Sequence, residues 1–246
     1  MRKFSHTIIL ALGLIFLASQ SALAAQPNLQ DLFSDFRAAA DELIAQQLEL
    51  IQSRYEANLA FLASPSPNNE ANLTRREILL ANGFIHNQRN YPQGELTVGA
   101  SSNGNASGCG PFAIFNALLY LNGGENPPCP ARIIRWLEID SVFNLDGRIG
   151  INPVSIYRYL NAHGYDASIT HFPRNVDSQI RNAYVSIFLY IGDWRRRYVH
   201  YVMVRHDGGG FWIYNWSGNT PANTASVDAW VSRLRYRSMA VITIKN

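Results

Sequence analysis

Three observations predict an α+β fold. Up to about residue 165, apolar residues recur in steps of three and four, which is helical spacing. Beyond that point the chain changes to short β-branched and aromatic runs separated by turn signals. Helices and strands therefore come in separate blocks, the order expected of an α+β chain with an antiparallel C-terminal sheet.

The first long element is a helix over residues 29–63. Its apolar positions include Leu29, Leu32, Phe36, Ala40, Leu43, Leu48, Ile51, Tyr55, Leu59 and Leu62, and Ser64-Pro65-Ser66-Pro67 stops it. A straight helix of that extent is roughly 50 Å long, so it bends or projects. A shorter helix over 75–82 ends at Gly83. Residues 91–108, rich in Gly, Asn and Ser, read as a loop around a short strand at 96–98. A helix over 110–121 has Pro111 in its first turn and Gly123-Gly124 beyond its end. Two more are expected at 131–138 and at 153–163, the latter with Asn152 as N-cap, Pro153 at its first position and Gly164 closing it. Strands follow at 185–191, 198–205, 211–216 and 239–245, with a helix near 227–234 before the last.

The 246 residues are 47% hydrophobic and 16% charged, which excludes a disordered chain, and two cysteines exclude a disulfide scaffold. Arg2 and Lys3, an apolar run over 8–18 and the small-x-small triplet Ala22-Leu23-Ala24 read as a secretory signal cut after Ala24. The run is short for a bilayer core of roughly 30 Å, and no later stretch approaches span length. The expected organisation is a signal peptide over 1–24, an N-terminal helical extension over 25–90 and a main domain over 91–246. The expected destination is secreted or periplasmic, with no integral membrane segment after signal removal. Without Arg2 and Lys3 there remain 19 basic against 18 acidic residues, a balance that argues against a nucleic-acid partner.

Cys109 stands in Ser107-Gly108-Cys109-Gly110-Pro111, where a loop meets a helix. A thiol there faces the positive end of the helix, which favours thiolate, and Gly108 and Gly110 allow a substrate backbone to come close. Asp207-Gly208 is a favoured turn pair between two strand-like runs. With those two residues as the turn, His200 is opposite Asn215 on the same face, where the Asn amide oxygen would hold one imidazole nitrogen and leave the other for a cysteine. Cys109, His200 and Asn215 thus supply nucleophile, base and orienter, at separations of 91 and 15 residues.

The remaining candidates carry less chemistry. Cys129, in Pro127-Pro128-Cys129-Pro130, is separated from Cys109 by a helix roughly 18 Å long, too far for ready bridging, and reads as free or paired with another chain. His206 is roughly 20 Å along the strand from His200 and reads as a turn residue. His86, His163 and His171 have no ligand-like partners at helix or strand spacing, so neither a metal nor another cofactor is expected. Arg195-Arg196-Arg197 reads as a solvated hairpin tip near one rim of the cleft.

The segment Ser-Gly-Cys-Gly-Pro-Phe-Ala-Ile-Phe-Asn-Ala-Leu from Ser107 resembles the nucleophile helix of the C39-like, bacteriocin-peptidase-like branch of papain-like cysteine peptidases. His200-Tyr201-Val202-Met203-Val204 resembles that branch's histidine strand, and 211–216 the strand carrying the third triad residue. The resemblance runs from about Ser101 to Ile244. It implies a papain-like architecture, with the nucleophile-bearing helix packed on the C-terminal antiparallel sheet. It also implies a Cys109–His200–Asn215 triad and an oxyanion hole. Asn215-Trp216 stands where the branch usually has Asp followed by Pro; papain itself uses Asn, with a nearby indole shielding the His–Asn bond. Trp216 is therefore expected beside the substrate, with Gly108 and Gly110. Asn103 stands where the branch has Gln about six residues before the cysteine, and Asn105 is the rival donor.

The function this implies is a secreted cysteine hydrolase cleaving peptide bonds through an acyl-enzyme, acting on a peptide or protein substrate. Two alternatives stand beside it. One keeps the triad as a peptidoglycan amidase or a glutamine deamidase or transglutaminase. The other is an inactive papain-like binding domain. Papain propeptides carry a spaced Glu-Arg-Phe-Asn signature that the 29–63 helix lacks, so that helix is expected to pack on the catalytic domain or to support self-association.

Overall fold

The computed structural model describes residues 29–67, 69–125, 128–140, 151–192 and 199–245, with the side chains of 29–32 left aside. The signal-like segment 1–24 and the arginines at 195–197 lie outside the described residues. The chain divides into two compact units, residues 1–49 and 50–246. The described part of the first belongs to helix α1 (Leu29–Ala63), where Phe33 and Phe36 are exposed.

The second unit takes in the end of α1 and then α2 (Arg75–Ala81), α3 (Gly104–Ser107), α4 (Cys109–Leu121), α5 (Pro130–Asp140) and α6 (Pro153–Ala162). Next come β1 (Ala167–His171), α7 (Val176–Arg181), β2 (Val185–Ile191), β3 (Val199–His206), β4 (Phe211–Tyr214), β5 (Ala222–Thr224), α8 (Val227–Arg233) and β6 (Arg237–Ile244). The strands form one sheet in the order β1-β6-β2-β3-β4-β5 with every pairing antiparallel, so the fold is α+β.

Local chemistry sets these limits. Thr74 and Glu77 form a reciprocal capping box at the start of α2, and Gly83 beyond its end has φ +67°. Asn152 caps α6 with Pro153 in its first turn, and Gly164 follows at φ +85°. Residues 96–98 do not form a strand: a single bridge joins Thr97 to Asn103, and the one-turn helix α3 occupies part of the expected loop.

The sheet is covered on both faces, which is why β2 is buried along nearly its whole length and reads as a continuous apolar run. Odd-numbered residues of β2 and β3 (Ile187, Leu189, Tyr201, Met203) share a core with Phe112, Phe115 and Leu118 of α4, and with Leu62, Leu79 and Ile85. Even-numbered residues (Phe188, Tyr190, Val202, Val204) pack with Val176 and Ile180 of α7 and with Val227, Trp230 and Val231 of α8. Helix α4 therefore lies on one face of the sheet, against β2 and β3, as expected of the helix carrying Cys109. Leu62, Leu79 and Ile85 bring parts of the 50–90 stretch into this core.

One expected register is corrected. His206 pairs with Phe211 and Met203 with Tyr214, so four residues, Asp207 to Gly210, connect β3 and β4 in place of two. Gly208 takes φ +83°, and the Asp207 carboxylate accepts from the Gly209 N–H at 3.2 Å, which stabilises the wider turn. The partner of each β3 residue moves by two positions, an even shift that preserves the face. The ladder ends at Tyr214, so Asn215 is not opposite His200.

Candidate active site

A cavity of about 1420 Å³ opens in the second unit. Cys109, Asn105 and Ala106 line one wall, and Ile191, Gly192, Val199 and His200 come from facing ends of β2 and β3. Asn215 and Ser217 follow β4, residues 87–89 contribute a loop, and residues 234–237 with Met239 complete the lining. Met239 reaches it through a bulge, since Leu189 pairs with Ala240 and Tyr190 with Ser238, leaving Met239 between them. Cys109, His200 and Asn215, the expected nucleophile, base and orienter, thus share this cavity, at 8%, 5% and 1% exposure.

Cys109 is the first residue of α4, with Gly108 as N-cap. Burial pushes its thiol above the ordinary range, and the backbone amides of Tyr201, Gly110 and Cys109 itself oppose that only in part. Burial thus works against the thiolate that the helix start favours. Both Cys109 and Cys129 are free.

Gly108 and Gly110 are not among the lining residues. A Cβ on Gly108 would meet the Gly104 carbonyl at 2.5 Å and overlap the Phe112 ring; one on Gly110 would meet Ile151 Cβ at 3.3 Å. Both glycines let α4 pack closely, which explains them without a substrate. Trp216 is also outside the lining: its Nε1 donates to the Thr220 carbonyl at 2.8 Å and its ring packs on the second core.

His200 bonds through Nε2 to the backbone carbonyl of Asn215. A carbonyl only accepts, so Nε2 carries the hydrogen and the neutral ring keeps its basic lone pair on Nδ1. Burial lowers the His200 pKa to about 4; the Asn215 carbonyl opposes this, and the Arg89 charge adds to it. The ring also meets Tyr190 edge-on at 5.7 Å.

Asn215 orients His200 through its main chain, not its amide. Its side chain is engaged elsewhere: Oδ1 accepts from the Gln88 N–H at 2.8 Å and Nδ2 donates to Gln88 Oε1 at 3.3 Å. Asn215 sits at φ +64°, in the left-handed region that Asn tolerates better than most residues. Gln88 in turn donates through Nε2 to the Asn105 carbonyl at 2.7 Å. Gln88 therefore ties the residue that fixes His200 to the segment leading into Cys109. Sequence reasoning missed it, because it lies in a polar loop without periodicity, 127 residues from its Asn215 partner.

Asn103 is the N-cap of α3, where its side-chain oxygen accepts from the Ala106 N–H at 3.2 Å, and it is not among the lining residues. Its rival Asn105 is. Among the described residues no cluster of His, Cys, Asp and Glu suited to a metal occurs, and no helix is long and apolar enough to cross a membrane.

No family model matches the chain, and no curated protein matches it. Among solved structures it is similar to a double glycine motif protease from an AMS/PCAT transporter, solved in complex with its leader peptide. The identity is 14%, covering 56% of this chain and 83% of that one, with a TM-score of 0.37. It is also similar to the peptidase domain of Streptococcus ComA, a bifunctional ABC transporter involved in quorum sensing (14% identity, 60% and 96% covered, TM-score 0.39). The same domain from Streptococcus mutans shares 14% identity, with 61% and 98% covered and a TM-score of 0.34.

Proposed function

We propose that the protein is a secreted cysteine peptidase using Cys109, His200 and Asn215. The observation that carries this reading is the cavity shared by a helix-start cysteine and a buried histidine whose tautomer is set by the Asn215 carbonyl. Burial disfavours the charged form of each group, raising the Cys109 pKa and lowering that of His200. His200 Nδ1 takes the thiol proton as sulfur attacks the substrate carbonyl carbon, then returns it to the leaving amine. Water, deprotonated by the same nitrogen, hydrolyses the thioester and regenerates the thiol. The Cys109 N–H and the Asn105 amide on the cavity wall are the proposed oxyanion donors; a missing donor of this kind costs about 2.7–4 kcal/mol of transition-state stabilisation.

The test is digestion of a proteome-derived peptide library by the wild-type chain and by the Cys109→Ala and His200→Ala variants, read by mass spectrometry. New peptide termini with wild type alone support the reading. Equal termini with Cys109→Ala, or none with wild type, refute it. Burial of both groups favours a second reading, a papain-like binding domain without turnover, which peptide binding without cleavage would support.

A further inference from the structure

The cavity that holds Cys109 and His200 has a one-sided charge. Among the described residues, Arg89, Arg235 and Arg237 line it and no carboxylate does. None of the three has an ion-pair partner among the described residues, whose ion pairs are Arg37–Asp41, Arg54–Glu138 and Arg158–Asp140.

The backbone at all three positions is fixed. The Arg89 N–H donates to the Asn87 side chain at 3.0 Å, beside the Gln88–Asn215 pairing. Arg235 turns the chain after α8 at φ +59°, with its N–H on the Ser232 carbonyl at 2.9 Å. Tyr236 stacks on Tyr190 at 5.1 Å, and Arg237 pairs with Ile191 in the β6–β2 ladder. Like charges held around one cavity repel one another, and a cleft with low-dielectric walls concentrates their field. A guanidinium presents a planar fork of donors that fits a carboxylate. Ile191, Val199, Leu234 and Met239 supply an apolar wall beside the arginines, which suits peptide side chains better than a uniformly charged polymer.

We propose that this cavity selects acidic peptides, with substrate carboxylates seated on Arg89, Arg235 and Arg237. The inference rests on the peptidase reading of the same site and names its substrate class. Arg89 also couples recognition to chemistry. Its charge disfavours protonation of His200, and a carboxylate paired with it offsets that effect as the imidazole takes the thiol proton.

The experiment uses the full chain carrying Cys109→Ala, so that binding is read without turnover. Calorimetry compares an acetylated, amidated peptide of alternating glycine and glutamate with its glutamine counterpart, with that counterpart bearing a free C-terminal carboxylate, and with inorganic polyphosphate. The glutamate peptide is expected to bind about tenfold tighter than the capped glutamine peptide, with the margin shrinking between about 50 and about 300 mM NaCl. Adding Arg89→Gln, Arg235→Gln and Arg237→Gln together is expected to reduce the preference to about twofold or less, while Arg132→Gln, outside the cavity lining, leaves it unchanged. Preference for the glutamate peptide assigns the arginines to acidic side chains; preference only for the free-carboxylate peptide assigns them to a chain terminus. Equal binding of all peptides, a preference that survives the triple substitution, or polyphosphate binding tighter than every peptide overturns the proposal. Library cleavage without acidic preference refutes this inference alone, whereas acidic preference without cleavage refutes the peptidase reading alone.

Discussion

His200 makes the fold acid-sensitive, and the size of the effect follows from its surroundings. Its folded-state pKa lies at about 4, against 6.5 for the unperturbed side chain, chiefly because burial penalises the imidazolium. Above the unfolded value neither state holds the proton, and stability is complete. As pH falls from about 6.5 towards 4 the unfolded chain gains a proton that the folded chain refuses, and stability drops by about 1.2–1.4 kcal/mol per pH unit. Below about 4 both states are protonated and this group's contribution levels off, after a total loss of roughly 3 kcal/mol. The assay is urea unfolding followed by tryptophan fluorescence at steps from neutral pH to about 4.5, for wild type and His200→Gln. The variant lacks the titrating ring, so its slope against pH is expected to be shallower by about one proton's worth, whatever its absolute stability. His86, also lowered by burial, remains in both proteins and cancels. Slopes that agree within about 0.3 kcal/mol per pH unit would mean that His200 is not held neutral, and the burial argument would fail.

Three further outcomes are expected. Asn215→Ala strands the buried Gln88 N–H and places Ala at φ +64°, which should cost about 2–4 kcal/mol of unfolding free energy; a loss under about 0.5 kcal/mol in urea titrations would contradict the clamp. Iodoacetamide should alkylate Cys129 faster than Cys109 at mildly alkaline pH, since burial holds the Cys109 thiol protonated; mass spectrometry at each cysteine decides, and faster Cys109 reaction at pH 5–6 would restore a resting thiolate. Gly108→Ala forces a Cβ against the Gly104 carbonyl and the Phe112 ring and should lower stability by about 1–3 kcal/mol or more, whereas Gly110→Ala, whose nearest neighbour would be 3.3 Å away, should cost less.

The elements legible in the sequence are those whose signal is local. α1 and β2 fall where periodicity and composition put them, and α2 and α6 end near their capping glycines because cap chemistry is written within a few residues. β1, β5, α3 and α7 escaped notice, being three to six residues long, too short to show a period. In the candidate site, the flanking motif and strand pattern point to Cys109 and His200, and both line the same cavity. What Asn215 does was not legible: its carbonyl meets His200 because the chain leaves the ladder at Tyr214 and turns to positive φ, which depends on the four-residue connection after His206. Nor does sequence reveal how deeply the thiol is buried, because that burial comes from α4 packing on a sheet formed much later in the chain.

Three buried asparagines hold the otherwise irregular stretch between Ile85 and Thr97. Asn116 on α4 exchanges two hydrogen bonds with Ile85, Asn58 on α1 does the same with Thr97, and Asn215 accepts from Gln88. The acceptors for the Ile85, Thr97 and Gln88 N–H groups thus lie 31, 39 and 127 residues away, on α4, on α1 and just beyond the end of β4. No local fluctuation that keeps those elements together frees these hydrogens, and no isolated piece of chain protects them. In deuterated solvent the three amides should exchange slowly and through large-scale opening, unlike ordinary loop amides. The wall of the cavity beside His200 then opens only together with the elements that hold it, and its integrity reports on the whole second unit.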